Sequence, residues 1–334
     1  MEKRNFCTLF DSNYLLKGIA MLQSLEKHCE STVCYVLCMD RKTEEVLESI
    51  NLSFVVCVPL ANIEDDELLH AKSTRGAAEY CWTLSSCFTW YVFQENKSID
   101  FITYLDADLL FYSSLDPVFT EIGNASIAII EHRFTKRLQH LVVNGRFCVE
   151  WVSFRRDNEG IACLSRWREQ CIDWCYHKLE GNRMGDQKYL DEWPSLYPNC
   201  HIIQHIGAGV APWNYAQYIF SSDEKKNILV GGQKLVFYHF HQFQLLANGE
   251  FDRLSKSYTD ECVEPVLIYE TYELALKDVF NKVKKIDPGF SAGLKPAAIN
   301  KIHRMAKRFF PANIKKLLRK VIRAKIVRMI GWKL

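Results

Sequence analysis

The sequence predicts an α/β fold, with a mostly parallel mixed sheet flanked by helices and followed by a helical, basic C-terminal tail. Three observations predict it. Compact apolar runs of the buried-strand kind alternate with segments of helical periodicity through the first third of the chain. One of those runs ends in Asp106-Ala107-Asp108, at the carboxyl end of a strand, where open α/β sheets gather their ligands. Finally, Asp287 is the last acid, and thirteen of the 42 Lys and Arg residues lie beyond it among Ile, Leu, Val and Met.

Taken in order, the chain opens with an apolar strand over 6–10, the turn Asp11-Ser12-Asn13, and a helix marked by Leu15, Ile19, Leu22 and Leu25. Residues 33–39 and 54–59 read as further buried strands separated by a polar helix over 43–50. A longer helix over 77–93, with Cys81, Leu84, Phe88 and Tyr91 on one face, feeds the strand 101–105. Strands are predicted over 127–131 and 147–154, and Ile161, Leu164, Trp167, Cys171 and Trp174 mark a helix. The run from Gly185 to Asp191 reads as a polar turn entering a short helix that Trp193-Pro194 ends. Strands over 201–204 and 234–239 follow, separated by a Gly- and Pro-containing stretch over 207–213 and a polar loop over 221–227. From 250 to 287 the chain is charged and helical, and no internal repeat is present.

With 334 residues, 48% of them hydrophobic, the chain can bury one large core or two modest ones, which excludes disordered and fibrous classes. Its thirteen cysteines are scattered through apolar stretches, where a free thiol behaves as a small hydrophobe, so reduced thiols in a cytosol are expected. The pairs Cys34/Cys38 and Cys171/Cys175 have zinc-compatible spacing but no partner pair at ligand distance. The apolar run before Asp11 is too short for a secretory signal, and no stretch reaches the length of a membrane span. Without the tail, 29 bases stand against 40 acids, so body and tail face different partners.

The chemistry concentrates at Asp106 and Asp108. Two carboxylates one residue apart at a strand end can both reach one hard divalent cation and leave positions open for diphosphate oxygens. A pair of turn carboxylates is the plainer reading of Asp-x-Asp alone. Here, however, both acids sit inside the apolar segment 104–111, where an unpaired carboxylate is costly.

The series ending in Tyr104-Leu105-Asp106-Ala107-Asp108 resembles the metal-binding signature of GT-A fold glycosyltransferases, especially the family 8 group of galactosyl- and glucosyltransferases. The resemblance spans roughly residues 5–245. It implies a nucleotide contact along Phe10, Asp11, Asn13 and Tyr14, with Asp106 and Ala107 also at the donor nucleotide. It further implies that Asp186 and Gln187 correspond to the Asp-Gln pair near the sugar, with catalytic roles. Gly185-Asp186-Gln187-Lys188-Tyr189-Leu190, Ala211-Pro212-Trp213-Asn214 and Phe237-Tyr238-His239-Phe240 resemble patterns of bacterial surface-polysaccharide transferases. The implied cofactor is Mn²⁺ (or Mg²⁺). The implied substrates are a nucleotide-diphospho-sugar, a UDP-sugar by expectation, and a glycan or lipid-linked acceptor of lipopolysaccharide or capsule type.

Two departures stand out. Family 8 members commonly carry an Asn-x-Gly acceptor-side strand, whereas this chain reads Phe147-Cys148-Val149-Glu150-Trp151, so acceptor contacts do not carry over. Two segments compete for the third metal ligand, a histidine: His239 ends a strong strand and is favoured, and His205, ahead of Ala211-Pro212-Trp213, is the alternative. If that strand continues, His241 points to the same face as His239. Asp186 is also a natural helix cap, and Trp151 and Trp213 are candidates for stacking on sugar or base faces.

The chain is thus expected to comprise a GT-A catalytic domain over 1–250, a helical extension over 251–294 and a membrane-associating tail over 295–334. In the tail, Ile314, Leu317, Leu318, Val321, Ile322, Met329 and Ile330 form an apolar face among bases, which suits an in-plane helix on an anionic membrane surface rather than nucleic acid. The expected location is cytoplasmic, peripheral on the inner face of the cell membrane. Two other functions compete with this one. A sugar nucleotidyltransferase usually has a glycine-rich basic loop after the first strand, where this chain has Phe10-Asp11-Ser12-Asn13-Tyr14. A non-catalytic sugar- or membrane-binding module would have no need of the intact acids.

Overall fold

A computed structural model describes residues 3–253, 258 and 265–297. The basic tail therefore lies, beyond residue 297, outside the described residues. The chain divides into two compact units, 1–242 with 255–292, and 243–254 with 293–334.

The first unit is built from βα repeats. Strand β1 (Arg4–Phe10) is followed by α1 (Leu15–His28), β2 (Thr32–Cys38), α2 (Arg41–Ile50) and β3 (Val55–Pro59). Helix α2 starts on Asp40, whose carboxylate accepts the Thr43 N–H at 2.8 Å. Next come α3 (Asp66–Thr74), α4 (Ala77–Glu95), β4 (Phe101–Leu105), the short β5 (Leu109–Phe111), α5 (Asp116–Ile122) and β6 (Ile127–Glu131). Strand β7 (Phe147–Arg155), α6 (Asn158–Asp173), a 3-10 segment over Gln187–Glu192, α7 (Trp193–Leu196) and β8 (Cys200–Ile203) complete the central part.

Seven strands form the main sheet in the order β3-β2-β1-β4-β7-β6-β8. Pairs among β1, β2, β3 and β4 are parallel, β7 runs antiparallel to both β4 and β6, and β6 and β8 are parallel. One face packs on α3, α4 and α6 through a core that includes Leu84, Phe88, Ile102, Ile129, Val152, Phe154 and Trp167. This is the mostly parallel mixed sheet the apolar runs predict.

Beyond β8 the chain makes β9 (Phe220–Ser222), β10 (Ile228–Val230) and β11 (Gln233–Lys234), a small antiparallel sheet, then β12 (Phe237–His239). The single strand expected over 234–239 is therefore two. Strand β12 pairs antiparallel with β5, Phe237 opposite Phe111 and His239 opposite Leu109. In the second unit, β13 (Gln244–Leu245) pairs with β14 (Phe251–Asp252), so the stretch expected to be helical from 250 begins as a strand. Helix α8 (Val266–Ile286) belongs to the first unit, where it packs against α1 and α2. The short 3-10 helix over Gln187–Glu192 does end at Trp193, but Pro194 then lies in the first turn of α7, where its missing N–H costs nothing, so it also opens a second short helix.

Candidate active site

The site is assembled at the carboxyl ends of β1 and β4, from segments far apart in the chain. After β1, Asp11 closes a turn: its carbonyl accepts the Tyr14 N–H at 3.0 Å, and its carboxylate accepts the Asn13 N–H at 3.0 Å and side-chain amide at 2.8 Å. Phe10 is buried with its ring against Gly18, where any Cβ would fall 2.4 Å from the ring. Its side chain therefore serves the core, and only its backbone lies on the turn. The Tyr14 ring carries the Lys17 ammonium 4.4 Å from its centroid, and that ammonium lies 3.6 Å from an Asp108 oxygen. The first turn of α1 is thus tied to the Asp-Ala-Asp segment.

Between β4 and β5 the chain turns at Asp106-Ala107-Asp108. The Asp106 N–H reaches the Glu150 carbonyl at 3.3 Å, and the Asp108 carbonyl accepts the Phe240 N–H at 2.9 Å. Pairing of β5 with β12 brings His239 across from more than a hundred residues away. Its Nε2 lies 3.0 Å from Asp108 Oδ1 and 3.9 Å from Asp106 Oδ2, and its Nδ1 lies 2.6 Å from Glu150 Oε2. His239, Asp108 and Glu150 are buried, Glu150 completely, and Glu150 Oε1 has no hydrogen-bond partner among the described residues. A thiol joins the cluster, because Cys148 Sγ, an Asp106 oxygen and a His239 ring nitrogen all lie within 4.8 Å of one another.

A register irregularity in β7 makes this possible. Ile129 pairs with Val152 but Ile130 pairs with Cys148, a bulge between β6 and β7. Phe147, Val149, Val152 and Phe154 stay in the core beneath α4 and α6, while Cys148 and Glu150 turn to His239. Re-aiming side chains beside a site is a recurrent use of such bulges.

The electrostatics are those of crowded acids around one base. Burial pushes the Asp106 carboxyl up to about 7; Asp108, Asp186 and Glu150 add to the rise and His239 opposes it. Burial alone would raise Asp108 too, but His239 and Lys17 outweigh it and hold that carboxyl below the usual range. Burial alone would lower His239, whereas Asp108, Cys148 and Glu150 raise it well above the ordinary histidine range. With carboxylates at both nitrogens, the imidazole carries both protons when no cation is present.

Asp186 sits near this cluster. Its carboxylate accepts the Ser85 hydroxyl at 2.8 Å instead of capping the 3-10 segment, and burial pushes it up to about 6. Gln187 is next to it, its amide held by the Asn144 carbonyl at 2.9 Å. Trp82 packs over Gly185, whose φ of +55° favours glycine. Trp213 is edge-on to His239 at 5.1 Å, to His241 at 5.5 Å and to His132 at 5.2 Å. His241 does lie beside His239, ring centroids 5.7 Å apart. Trp151 is fully buried and stacks on Phe237 at 5.6 Å, a core role. His205 is elsewhere: its Nδ1 accepts the Gly207 N–H at 3.1 Å and its backbone N–H donates to Glu121 at 3.0 Å.

Glu150 and Cys148 are the cluster members that sequence reasoning did not assign. An acid at the middle of the otherwise apolar run over 147–154 was the available signal, since a carboxylate in a buried strand needs a partner.

No family model matches the chain. It is 30% identical over 295 residues to the uncharacterized protein YfnF of Bacillus subtilis (strain 168), covering 86% of this chain and 96% of that protein. It is 31% identical over 299 residues to the uncharacterized protein YfnD of the same strain, covering 89% and 96%. Among solved structures it resembles the glycosyltransferase GlyE of Streptococcus pneumoniae TIGR4, with a TM-score of 0.50, 15% identity, and coverage of 85% of this chain and 64% of that one. The chain belongs to the family of YfnF and YfnD, and its fold is the GT-A fold of glycosyltransferases.

Proposed function

We propose that the protein is a glycosyltransferase that moves a sugar from a nucleotide-diphosphate donor, a UDP-sugar, to a glycan or lipid-linked acceptor in bacterial surface-polysaccharide synthesis. The observation that carries this reading is the convergence of Asp106, Asp108, Asp186 and His239, drawn from three distant segments, at the ligand-binding end of a GT-A sheet.

Two carboxylates and an imidazole form a donor set suited to Mn²⁺, or to Mg²⁺ with fewer nitrogen contacts. Glu150 holds Nδ1 and so directs Nε2 at Asp106 and Asp108, where a cation would take the place of the Nε2 proton. Asp106, Asp108 and His239 would hold it. When bound, such an ion neutralises charge building on the departing diphosphate. The remaining work belongs to the chain. The turn from Asp11 to Tyr14 places an exposed aromatic ring at the start of α1, a ready contact for the nucleotide. Asp186, steadied by Ser85, is a hydrogen-bond acceptor for sugar hydroxyls, and Gln187 beside it offers an amide dipole at the same place. Trp213 closes the site with an apolar wall.

No helix among the described residues is long and apolar enough to cross a membrane. We assign membrane contact to the acid-free tail on its charge alone, each Lys or Arg near an anionic surface contributing on the order of 1 kcal/mol.

The direct test is donor turnover. A panel of UDP-sugars incubated with the protein and Mn²⁺ is expected to contain one that is hydrolysed or transferred, with activity abolished by EDTA and restored by Mn²⁺. Absence of turnover across UDP-, GDP- and TDP-sugars with several acceptors would overturn the proposal.

A further inference from the structure

We propose that Cys148 supplies a sulfur ligand to the cation of this site, which makes the site selective for borderline and thiophilic metals over Mg²⁺. The inference deepens the proposed function and rests on its reading of Asp106, Asp108 and His239 as a cation site.

The geometry points to it in three ways. The Cys148 thiol shares a 4.8 Å cluster with one Asp106 oxygen and one His239 nitrogen. Ligand atoms about one cation sit at ~2.0–2.3 Å from it, so movements of a few tenths of an ångström bring all three into contact. Two residues before Glu150 on β7, Cys148 faces the same side as Glu150, away from the apolar core in which Phe147 and Val149 lie. A cysteine that merely fills space is expected in an apolar setting, as Cys163 is, inside the core under α6. Cys148 instead adjoins a carboxylate and an imidazole while being only 5% exposed. A buried thiol so placed gains little from packing and much from a cation.

Binding would be a simple exchange in which the thiol gives its proton to solvent and the thiolate sulfur donates to the metal, with no change of oxidation state. A set of two carboxylates, one imidazole and one thiolate departs from the all-oxygen environment Mg²⁺ prefers. It favours Mn²⁺ weakly and Co²⁺, Zn²⁺ and Cd²⁺ strongly.

The test is spectroscopic and needs no turnover. Co²⁺ is titrated into the full chain with and without UDP while calorimetry follows binding. An intense near-ultraviolet sulfur-to-cobalt charge-transfer band is expected to grow to saturation. It should vanish in Cys148→Ser and in Cys148→Ala, and persist in Cys38→Ser and Cys171→Ser. Cd²⁺ affinity should fall more than ~10-fold in Cys148→Ser while Mg²⁺ affinity stays the same. Co²⁺ binding without that band, or a band that survives both Cys148 variants, overturns the sulfur ligand and leaves the proposed transferase standing. If neither variant folds, the wild-type spectrum still decides: absence of the band refutes the inference. Failure of any divalent ion to bind, with UDP present, overturns both.

Discussion

The two ends of the central sheet treat charge in opposite ways. At the end where β1 and β4 begin and β7 finishes, Arg4, Arg155 and Arg156 each have hydrogen-bond partners. Arg156 donates to the Ile99 and Phe93 carbonyls, both at 2.6 Å, and to the Asn96 carbonyl at 2.9 Å, with its guanidinium 4.0 Å above the Phe93 ring. Arg155 bonds the Ala125 and Gly123 carbonyls, and Arg4 pairs with Asp116 at 2.6 Å while lying over Phe119. A cleft of ≈ 770 Å³ opens at this end, and in its wall Arg4 is already paired with Asp116 and Arg155 with backbone carbonyls. At the opposite end, Asp106, Asp108 and Glu150 crowd around His239, Asp186 adds its charge to that of Asp106, and one Glu150 oxygen has no hydrogen-bond partner among the described residues. The contrast teaches that a cleft by itself is a poor guide to a functional site. Satisfied charges at one end fasten loops to the sheet, whereas the crowded acids at the other shift their proton affinities and suit completion by a ligand.

The contrast can be broken or sharpened by mutation. The largest effect on stability is expected at the satisfied end. Arg156→Ala strands three carbonyls and should cost roughly 2–4 kcal/mol in urea denaturation, with kcat per folded molecule unchanged. An equal loss from Asp108→Asn would erase the distinction. Next, Glu150→Ala should weaken Mn²⁺ binding ~10–100-fold by calorimetry because His239 loses the group that aims it, whereas Glu150→Gln, which can still accept from Nδ1, should lose less. Unchanged affinity in both variants would make Glu150 a bystander.

The smallest effect is a pH dependence. Asp186 has its carboxyl pushed up to about 6 in the folded chain against an ordinary 3.8, so the native state holds its proton longer than the unfolded chain does. The penalty of ionising it is absent below 3.8, grows between 3.8 and about 6, and is complete above. Asp186→Asn removes that penalty and should gain stability relative to the wild type, on the order of 1–2 kcal/mol, as pH rises from 4 to 7 without divalent ions. A stability difference that is flat with pH would contradict the burial argument.

Much of this was legible in the sequence. The runs over 6–10, 101–105 and 127–131 are strands because each is a short apolar block bounded by polar turns, and local pattern suffices for that. The two aspartates are visible for the same reason, being acids that interrupt an apolar segment. What escaped depends on distant pairing. Strand β5 has three residues and owes its existence to β12, more than 120 residues onward. The bulge that aims Cys148 and Glu150 follows from the register of β6 against β7, which no window of residues encodes. The strand-terminal position favours His239 over His205 in the sequence, but only the β5–β12 pairing brings His239 beside the aspartates.

The central claim is that the acidic end of the sheet binds a nucleotide through a divalent cation. It is tested most directly by calorimetric titration of UDP into the full chain and into Asp108→Asn, each with Mn²⁺ and with EDTA. The account predicts that UDP binds the wild type at least ~10-fold more tightly with Mn²⁺, and that this gain disappears in Asp108→Asn while its melting temperature is maintained. UDP affinity that is the same with Mn²⁺ and EDTA, or the same in Asp108→Asn as in the wild type, would contradict it.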